Sequence, residues 1–195
     1  MVRAFTRCCL GILILILPAC GGIKYSEISK EAPQFHPHSV AILPTNVGSF
    51  EQARGIVEEQ VATELVDRQW FDKVLAPDAV QKHLAEDVEL RDMVSRYLLT
   101  LQTVGHSDQQ MSATIGKKLG VDAVALANVE YWGHTTEKAE KVGKVALGLK
   151  YIECTTGTVL WKAAHEKSED YSLFKPDLDD ISSDVVDEML DEMPH

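Results

Sequence analysis

The segment 121–132 is the feature that most constrains how this chain can fold. Its first half is apolar without a break from residue 123 onward, and its second half alternates apolar with polar residues. Continuous apolar runs are typical of strands buried on both faces, whereas alternation is typical of strands with one face in water. The segment therefore predicts a strand that runs from the covered centre of a sheet to a more exposed part.

A strand–helix–strand order comes earlier in the chain. Residues 39–44 form a short apolar run that ends at a proline, which predicts a buried strand. Residues 50–69 place apolar side chains three and four positions apart, which predicts an amphipathic helix, and residues 70–75 predict a second strand. This order favours a right-handed crossover and parallel pairing of the two strands.

Three further helices are predicted before the long strand. They cover residues 77–86, residues 88–102 and a segment that begins at Ser107, where Ser107 and Gln110 have the spacing of a capping box. The third helix is expected to stop at Gly120, because glycine is favoured just past a helix end.

A hairpin and a helix close the chain. Residues 133–143 are polar, residues 145–152 alternate as in a strand, and Gly157 suits the turn into a strand over 159–163. Residues 177–193 have a helical apolar stripe under an acidic face, which indicates a helix that covers the sheet with its acids in solvent; a partner-docking helix is the alternative. The prediction is a single α/β (α+β) domain whose mixed sheet of about five strands is flanked by helices.

The first twenty residues have the layout of an export signal. Arg3 and Arg7 precede an apolar run over 10–17, which is shorter than the roughly 20 apolar residues that a membrane-spanning helix needs. The run ends in Leu17, Pro18, Ala19 and Cys20, and this order resembles the bacterial lipobox.

The lipobox resemblance implies that Cys20 is the lipidation site of a lipoprotein. Its sulfur would receive a diacylglyceryl group, residues 1–19 would be removed as signal peptide, and the new amine would be acylated, for example with palmitate. Two or three chains anchor a protein durably, whereas one holds only marginally. An ordinary signal peptide that happens to contain a cysteine is the alternative.

Position 21 bears on which membrane holds the protein. Position 21 is Gly21, whereas an aspartate there would resemble an inner-membrane retention signal. We therefore expect the protein to be anchored in the inner leaflet of the outer membrane, with the domain facing the periplasm. Residues 20–38 are polar and contain two prolines, which predicts a lipidated flexible tether of up to about 60 Å before a domain over 39–195.

Charge and cysteine content exclude some functions. The formal charge is −11, and no cluster of Lys and Arg suits a phosphate backbone, so no nucleic-acid partner is expected. Cys8 and Cys9 would leave with the signal and Cys20 would carry lipid, which leaves Cys154 without a disulfide partner. We expect Cys154 to be a small buried apolar residue.

Four stretches together resemble a known group of proteins. They are residues 40–44, 115–124, 145–153 and 156–161, and the resemblance covers about residues 39–165. They resemble the curli-secretion-channel-like lipoproteins, a group that includes penicillin-binding-protein activator lipoproteins and small lipoproteins of unassigned role. The group has a mixed sheet flanked by helices, and Glu153 stands where its hairpin commonly has aspartate.

The resemblance implies an anchored accessory protein rather than a pore. Residues 133–143 are too short and too charged for a membrane-crossing hairpin, and residues 88–102 have helical periodicity. We therefore expect a non-catalytic accessory of an envelope transport or assembly complex, with other envelope proteins as partners. An activator of a peptidoglycan synthase is the alternative, and a homo-oligomer stays open.

No catalytic motif emerges from the sequence. A phosphate-binding loop, a nucleophile elbow, a paired-cysteine site and a dinucleotide turn are all missing, and His165-Glu166 begins a zinc motif whose second histidine is replaced by Glu169. The expectation is therefore no enzyme, no catalytic residue, no metal and no cofactor. A hydrolase whose site forms only in space is a further alternative.

Overall fold

The computed structural model describes residues 23–195, which form one six-stranded sheet with five α-helices. Its strands are β1 (Tyr25–Ile28), β2 (Ser39–Ile42), β3 (Lys73–Leu75), β4 (Ala123–Glu137), β5 (Glu140–Glu153) and β6 (Val159–Asp170). Its helices are α1 (Ile56–Asp67), α2 (Pro77–Glu86), α3 (Val88–Val104), α4 (Gln109–Leu119) and α5 (Leu178–Leu190).

The sheet is mixed, and its strand order is β1-β6-β5-β4-β2-β3. Strand β2 runs parallel to both β3 and β4, while β4, β5, β6 and β1 pair antiparallel in turn. The predicted fold class and the predicted parallel strand–helix–strand unit are thus confirmed. The number of strands is six instead of about five, and β3 begins at Lys73, later than expected.

The two faces of the sheet are covered to different extents. On the first face, α1 and α5 bury a large apolar core that reaches from β2 to β6. On the second face, α2, α3 and α4 bury a smaller core that ends at Leu126 of β4 and Ile152 of β5. The second face is consequently covered over one half and open over the other.

The sixth strand comes from the segment that was expected to be a flexible tether, so that expectation is corrected. Tyr25 pairs with Ala164 and Ile28 pairs with Trp161 of β6, and a short 3₁₀ helix follows at Ala32–Gln34. No apolar pattern of the kind that identifies strands marks this segment, because all four residues of β1 are exposed. Backbone hydrogen bonds to the sheet edge hold this strand instead.

The polar segment 133–143 is also more regular than expected. Strands β4 and β5 continue through it and turn at Lys138 and Ala139, both at positive φ. The capping residue of α4 also differs from the prediction, because the Asp108 side chain, not that of Ser107, accepts a hydrogen bond from the Met111 amide. Gly120 and Gly157 have the left-handed conformation that their predicted roles require.

Helix α5 covers the sheet as predicted, with Ile181, Val185 and Met189 fully buried. Its acids are not all simply solvated, because two cations of the domain bind them. Arg68 pairs with Asp187 and Asp191, and Lys167 pairs with Asp184 and Glu188. Within residues 23–195, no helix combines the length and apolar character needed to cross a bilayer.

Gly116 allows α4 to approach the sheet closely. A Cβ atom at this position would lie 2.7 Å from the Cys154 sulfur, well inside van der Waals contact. We expect Gly116→Ala to lower the free energy of unfolding by about 1–3 kcal/mol, because overpacking outweighs the gain in helix propensity. Denaturant unfolding measures this.

Lys117→Ala is the matched control, since Lys117 is exposed on the same helix and its truncation should change stability little. Adding Cys154→Gly to Gly116→Ala should restore part of the loss. A stabilised Gly116→Ala variant would contradict the close approach.

Candidate functional site

The open half of the second sheet face contains a cavity of about 780 Å³. Its floor consists of residues on β4, β5 and β6, and its walls come from α3 and from the loop after β2. The side chains that define its character are Leu98, Leu99, Leu126, Asn128, Lys150 and Lys162. The cavity thus joins an apolar wall to an amide and two ammonium groups.

Strand register explains how these floor residues meet. Leu126 on β4 lies opposite Lys150 on β5, which lies opposite Lys162 on β6. Residues directly opposite one another on neighbouring strands project from the same face, so the two lysines stand side by side. Helix α3 contributes Leu98 and Leu99 from above this row.

Of the two cavity lysines, Lys150 is the one without a counter-charge. Its side chain is half-buried, and its ammonium group has no hydrogen-bond or ion-pair partner in the part of the chain that the structure describes. Burial and the neighbouring Lys162 lower its pKa, because both disfavour the charged form. A carboxylate brought into the cavity would therefore relieve an unfavourable charge at Lys150.

Lys162 is held by β1. Its Nζ atom lies 3.1 Å from the Glu27 carboxylate and 5.6 Å from the centre of the Tyr25 ring. The hydrogen bonds to Glu27 and Tyr25 raise the pKa of Lys162, so its charge is already matched. Strand β1 thus closes one side of the cavity and leaves Lys150 as the cation available to a ligand.

Asn128 and Gly148 shape the floor next to this row. They lie opposite each other, and a Cβ at Gly148 would overlap the Asn128 amide group. Glycine at this position therefore lets the Asn128 side chain lie flat across β5. The amide borders the cavity, where it can both donate and accept hydrogen bonds.

The cavity does not assemble acid–base machinery. One carboxylate, Glu130, lines it, and its lining includes no histidine and no cysteine. General acid–base catalysis needs titratable groups converging on one point, as do most protein metal sites. Nowhere in residues 23–195 do three or more His, Cys, Asp or Glu side chains gather as metal ligands would.

His165 serves a structural contact. It is 5% exposed, and its Nε2 atom lies 2.6 Å from Glu188 of α5. Burial raises the pKa of Glu188, but hydrogen bonds from Lys167 and His165 outweigh it, so the net direction is downward. The contact between His165 and Glu188 links β6 to α5 and lies outside the cavity.

Cys154 is buried and free, as predicted. Burial, together with the charges of Asp122 and Glu153, raises the pKa of its thiol to about 12. The thiolate is the reactive form of cysteine, so this residue is inert near neutral pH.

The predicted lipidation residues lie outside the described part of the chain. Cys20, Gly21 and the lipobox residues Leu17, Pro18 and Ala19 all precede Ile23, so their predicted roles stay predictions. None of the cavity residues was singled out from the sequence. The signal that could have found the cavity was Lys150, the only charged residue between Val145 and Ile152 of β5.

Solved structures with a similar fold come from bacteria. A dodecamer of a PelC point variant from Paraburkholderia phytofirmans is 16% identical and matches 82% of this chain and 89% of its own, with a TM-score of 0.52. PelC in a second crystal form, also a dodecamer, is 12% identical over 83% and 92%, with the same TM-score. Lipoprotein GNA1162 from Neisseria meningitidis is 16% identical over 80% and 99%, with a TM-score of 0.50.

These likenesses confirm, at the level of the fold, the resemblance to small bacterial lipoproteins that the sequence indicated. Identities this low show a shared fold and not a shared function. No family model matches the chain, and no curated protein matches its sequence.

The two cavity lysines are expected to titrate at different pH values. Lys150 should lose its proton at lower pH than Lys162, because Lys150 is desolvated without a counter-charge and Lys162 binds Glu27. Carbon-13 methylation of the lysines and NMR titration measure both values, with Lys150→Arg and Lys162→Arg variants for assignment. Equal pKa values, or the reverse order, would contradict this account of the cavity.

Proposed function

We propose that this protein is a lipoprotein anchored through Cys20 in the inner leaflet of the outer membrane, and that its domain faces the periplasm. There it acts as a non-catalytic accessory of an envelope transport or assembly complex by binding other envelope proteins. The observation that carries the binding role is the open cavity on the second sheet face. Support for the anchor comes from the sequence order that ends at Cys20.

The chemistry of the cavity favours contact with a protein segment. Leu98 and Leu99 offer apolar surface, and Asn128 offers hydrogen bonds at the floor. Lys150 adds an ammonium group that lacks a counter-charge. A segment that carries an apolar side chain next to a carboxylate would satisfy all three, and interfaces commonly combine an apolar centre with a few such polar contacts.

The lining of the cavity argues against the hydrolase alternative. Hydrolysis by paired carboxylates needs two of them a few ångströms apart, and Glu130 is the single carboxylate among the lining residues. Lys150 with a lowered pKa is a chemically versatile group, but its titratable neighbour in the lining, Lys162, is already bound to Glu27.

The structure weakens the alternative of a peptidoglycan-synthase activator that reaches far from its membrane. With β1 in the sheet, only residues 21–24 lie between Cys20 and the first strand. Five residue steps from Cys20 to Tyr25 span about 17 Å when extended, compared with about 60 Å for a tether over the whole segment. The proposal therefore places the domain close to the bilayer.

Cys20→Ser should abolish the anchor without unfolding the domain. The serine hydroxyl cannot form the thioether, so we expect the variant to stay unprocessed or to leave the membrane fraction, while circular dichroism shows a folded domain. Membrane fractionation and intact mass spectrometry measure the change.

The predicted signal peptide supplies matched controls for this test. Cys8→Ser and Cys9→Ser change cysteines that would be removed with residues 1–19, so both variants should be processed and retained normally. A Cys20→Ser variant that is still cleaved and still retained in the membrane fraction would refute the anchor, as would a parent protein that keeps Met1 or lacks added acyl mass.

Photo-crosslinking tests the binding role of the cavity. A photoreactive amino acid at Leu99 should give a crosslinked product with another envelope protein in intact cells, because Leu99 is a cavity residue and its side chain is 60% exposed. Val66 is the control position, since it is 54% exposed on α1 and lies away from the cavity.

Three outcomes separate the alternatives. A product specific to Leu99 that contains a second envelope protein supports the proposal, and Lys150→Glu should then reduce its yield. A product that contains only this chain would indicate a homo-oligomer instead. Equal products at both positions would show no preference for the cavity.

A further inference from the structure

The pairing of β1 fixes the direction in which the chain leaves the domain toward its N-terminus. Strand β1 is antiparallel to β6, with Ile28 opposite Trp161 and Tyr25 opposite Ala164. Moving from Tyr25 toward residue 20 therefore follows β6 toward its last residue, Asp170. The Lys24 side chain confirms the direction, because its Nζ atom lies 3.0 Å from Glu166, beyond Ala164.

The lengths of the two segments match. From Ala164 to the end of β6 at Asp170 is about 20 Å, and from Tyr25 back to Cys20 is about 17 Å if extended. An extended chain before Tyr25 would therefore be long enough to bring Cys20 level with the last residues of β6. The β4–β5 turn and the segment that follows β6 lie at this same end of the sheet.

This end of the domain exposes a pair of large apolar side chains. Leu173 and Phe174 are 86% and 87% exposed, more than any other large apolar residue in the described part of the chain. Single exposed apolar residues are common on protein surfaces, but these two are adjacent and lie in the loop between β6 and α5.

The loop that carries the pair is braced on both sides. Before it, the Tyr171 amide donates to the Lys141 carbonyl oxygen at 2.9 Å. After it, Nε2 of His134 lies 3.0 Å from the Pro176 carbonyl oxygen, and Pro176 packs where Gly143 has no side chain. These contacts fix the chain on both sides of Leu173 and Phe174, whose side chains are exposed.

Three exposed lysines lie at the same end of the domain as the apolar pair. Lys175 follows it directly, and Lys138 and Lys141 extend from the neighbouring β4–β5 turn, all three exposed. In a chain of net charge −11 they bring cations to one end, although the exposed acids Glu140, Glu169, Asp170 and Asp177 lie at the same end. Long lysine side chains suit an interface, because their apolar stems can lie along acyl chains while the ammonium groups stay with the lipid headgroups.

We propose that the loop containing Leu173 and Phe174 inserts into the phospholipid surface to which the chain is anchored. This inference rests on the proposed anchor at Cys20. The anchor and the loop then form two contacts at the same end of the domain, and together they fix its orientation. The open cavity on the second sheet face would then have a fixed position relative to the membrane.

Site-specific fluorescence tests the insertion. The processed, acylated full chain is placed in phosphatidylethanolamine–phosphatidylglycerol vesicles, and an environment-sensitive nitrobenzoxadiazole label is attached at Phe174→Cys or at Leu173→Cys. Thr155→Cys is the matched control, because Thr155 is exposed in the β5–β6 turn at the opposite end of the sheet. The parent protein serves as the labelling blank, since Cys154 is buried.

We expect nitroxide-labelled lipids to quench the labels at positions 173 and 174 several-fold more than the label at 155, with a blue shift at the first two positions alone. Equal quenching at both ends, with the protein still floating with the vesicles, would overturn the insertion and leave the anchor intact. Failure of the processed chain to float would overturn the anchor itself, and the insertion with it.

Discussion

Backbone pairing between β1 and β6 is the interaction on which the arrangement of this protein depends. It turns a short polar segment into the edge of the sheet, and it sets the direction in which the chain continues toward Cys20. It also brings Glu27 and Tyr25 to Lys162, which neutralises one of the two cavity lysines. Without this strand the cavity would lose a side, and the link to the proposed anchor would be long and undirected.

Unequal coverage of the two sheet faces gives the molecule its open cavity. Helices α1 and α5 seal the first face, where residues such as Trp161 and Met189 are fully buried. On the second face the buried core ends at Leu126 and Ile152, and the row of the sheet that begins with Leu126 continues with Lys150 and Lys162 instead of apolar side chains. Side-chain chemistry therefore sets the boundary between core and cavity, since an uncompensated lysine resists complete burial.

The sequence predicted most of the elements because their patterns are local. Helices α2 and α4 carry a clear stop or start signal, with Pro77 in the first turn of α2 and Gly120 just past α4. The two failures, β1 and the extension of β4 and β5 through residues 133–143, concern strands made of polar residues. Such strands are held by partners distant in sequence, and no local periodicity records those partners.

The sequence by itself determined the α/β class and the buried strands, and it is the basis of the predicted export signal and the predicted acylation of Cys20, because each depends on residue order over a short stretch. Only the tertiary structure decided which residues meet. Lys150 and Lys162 lie twelve positions apart, and Tyr25 joins them across more than a hundred, through strand register alone. The physical reason is that a sheet specifies neighbours through backbone hydrogen bonds between distant segments, whereas sequence patterns report only which face each segment buries.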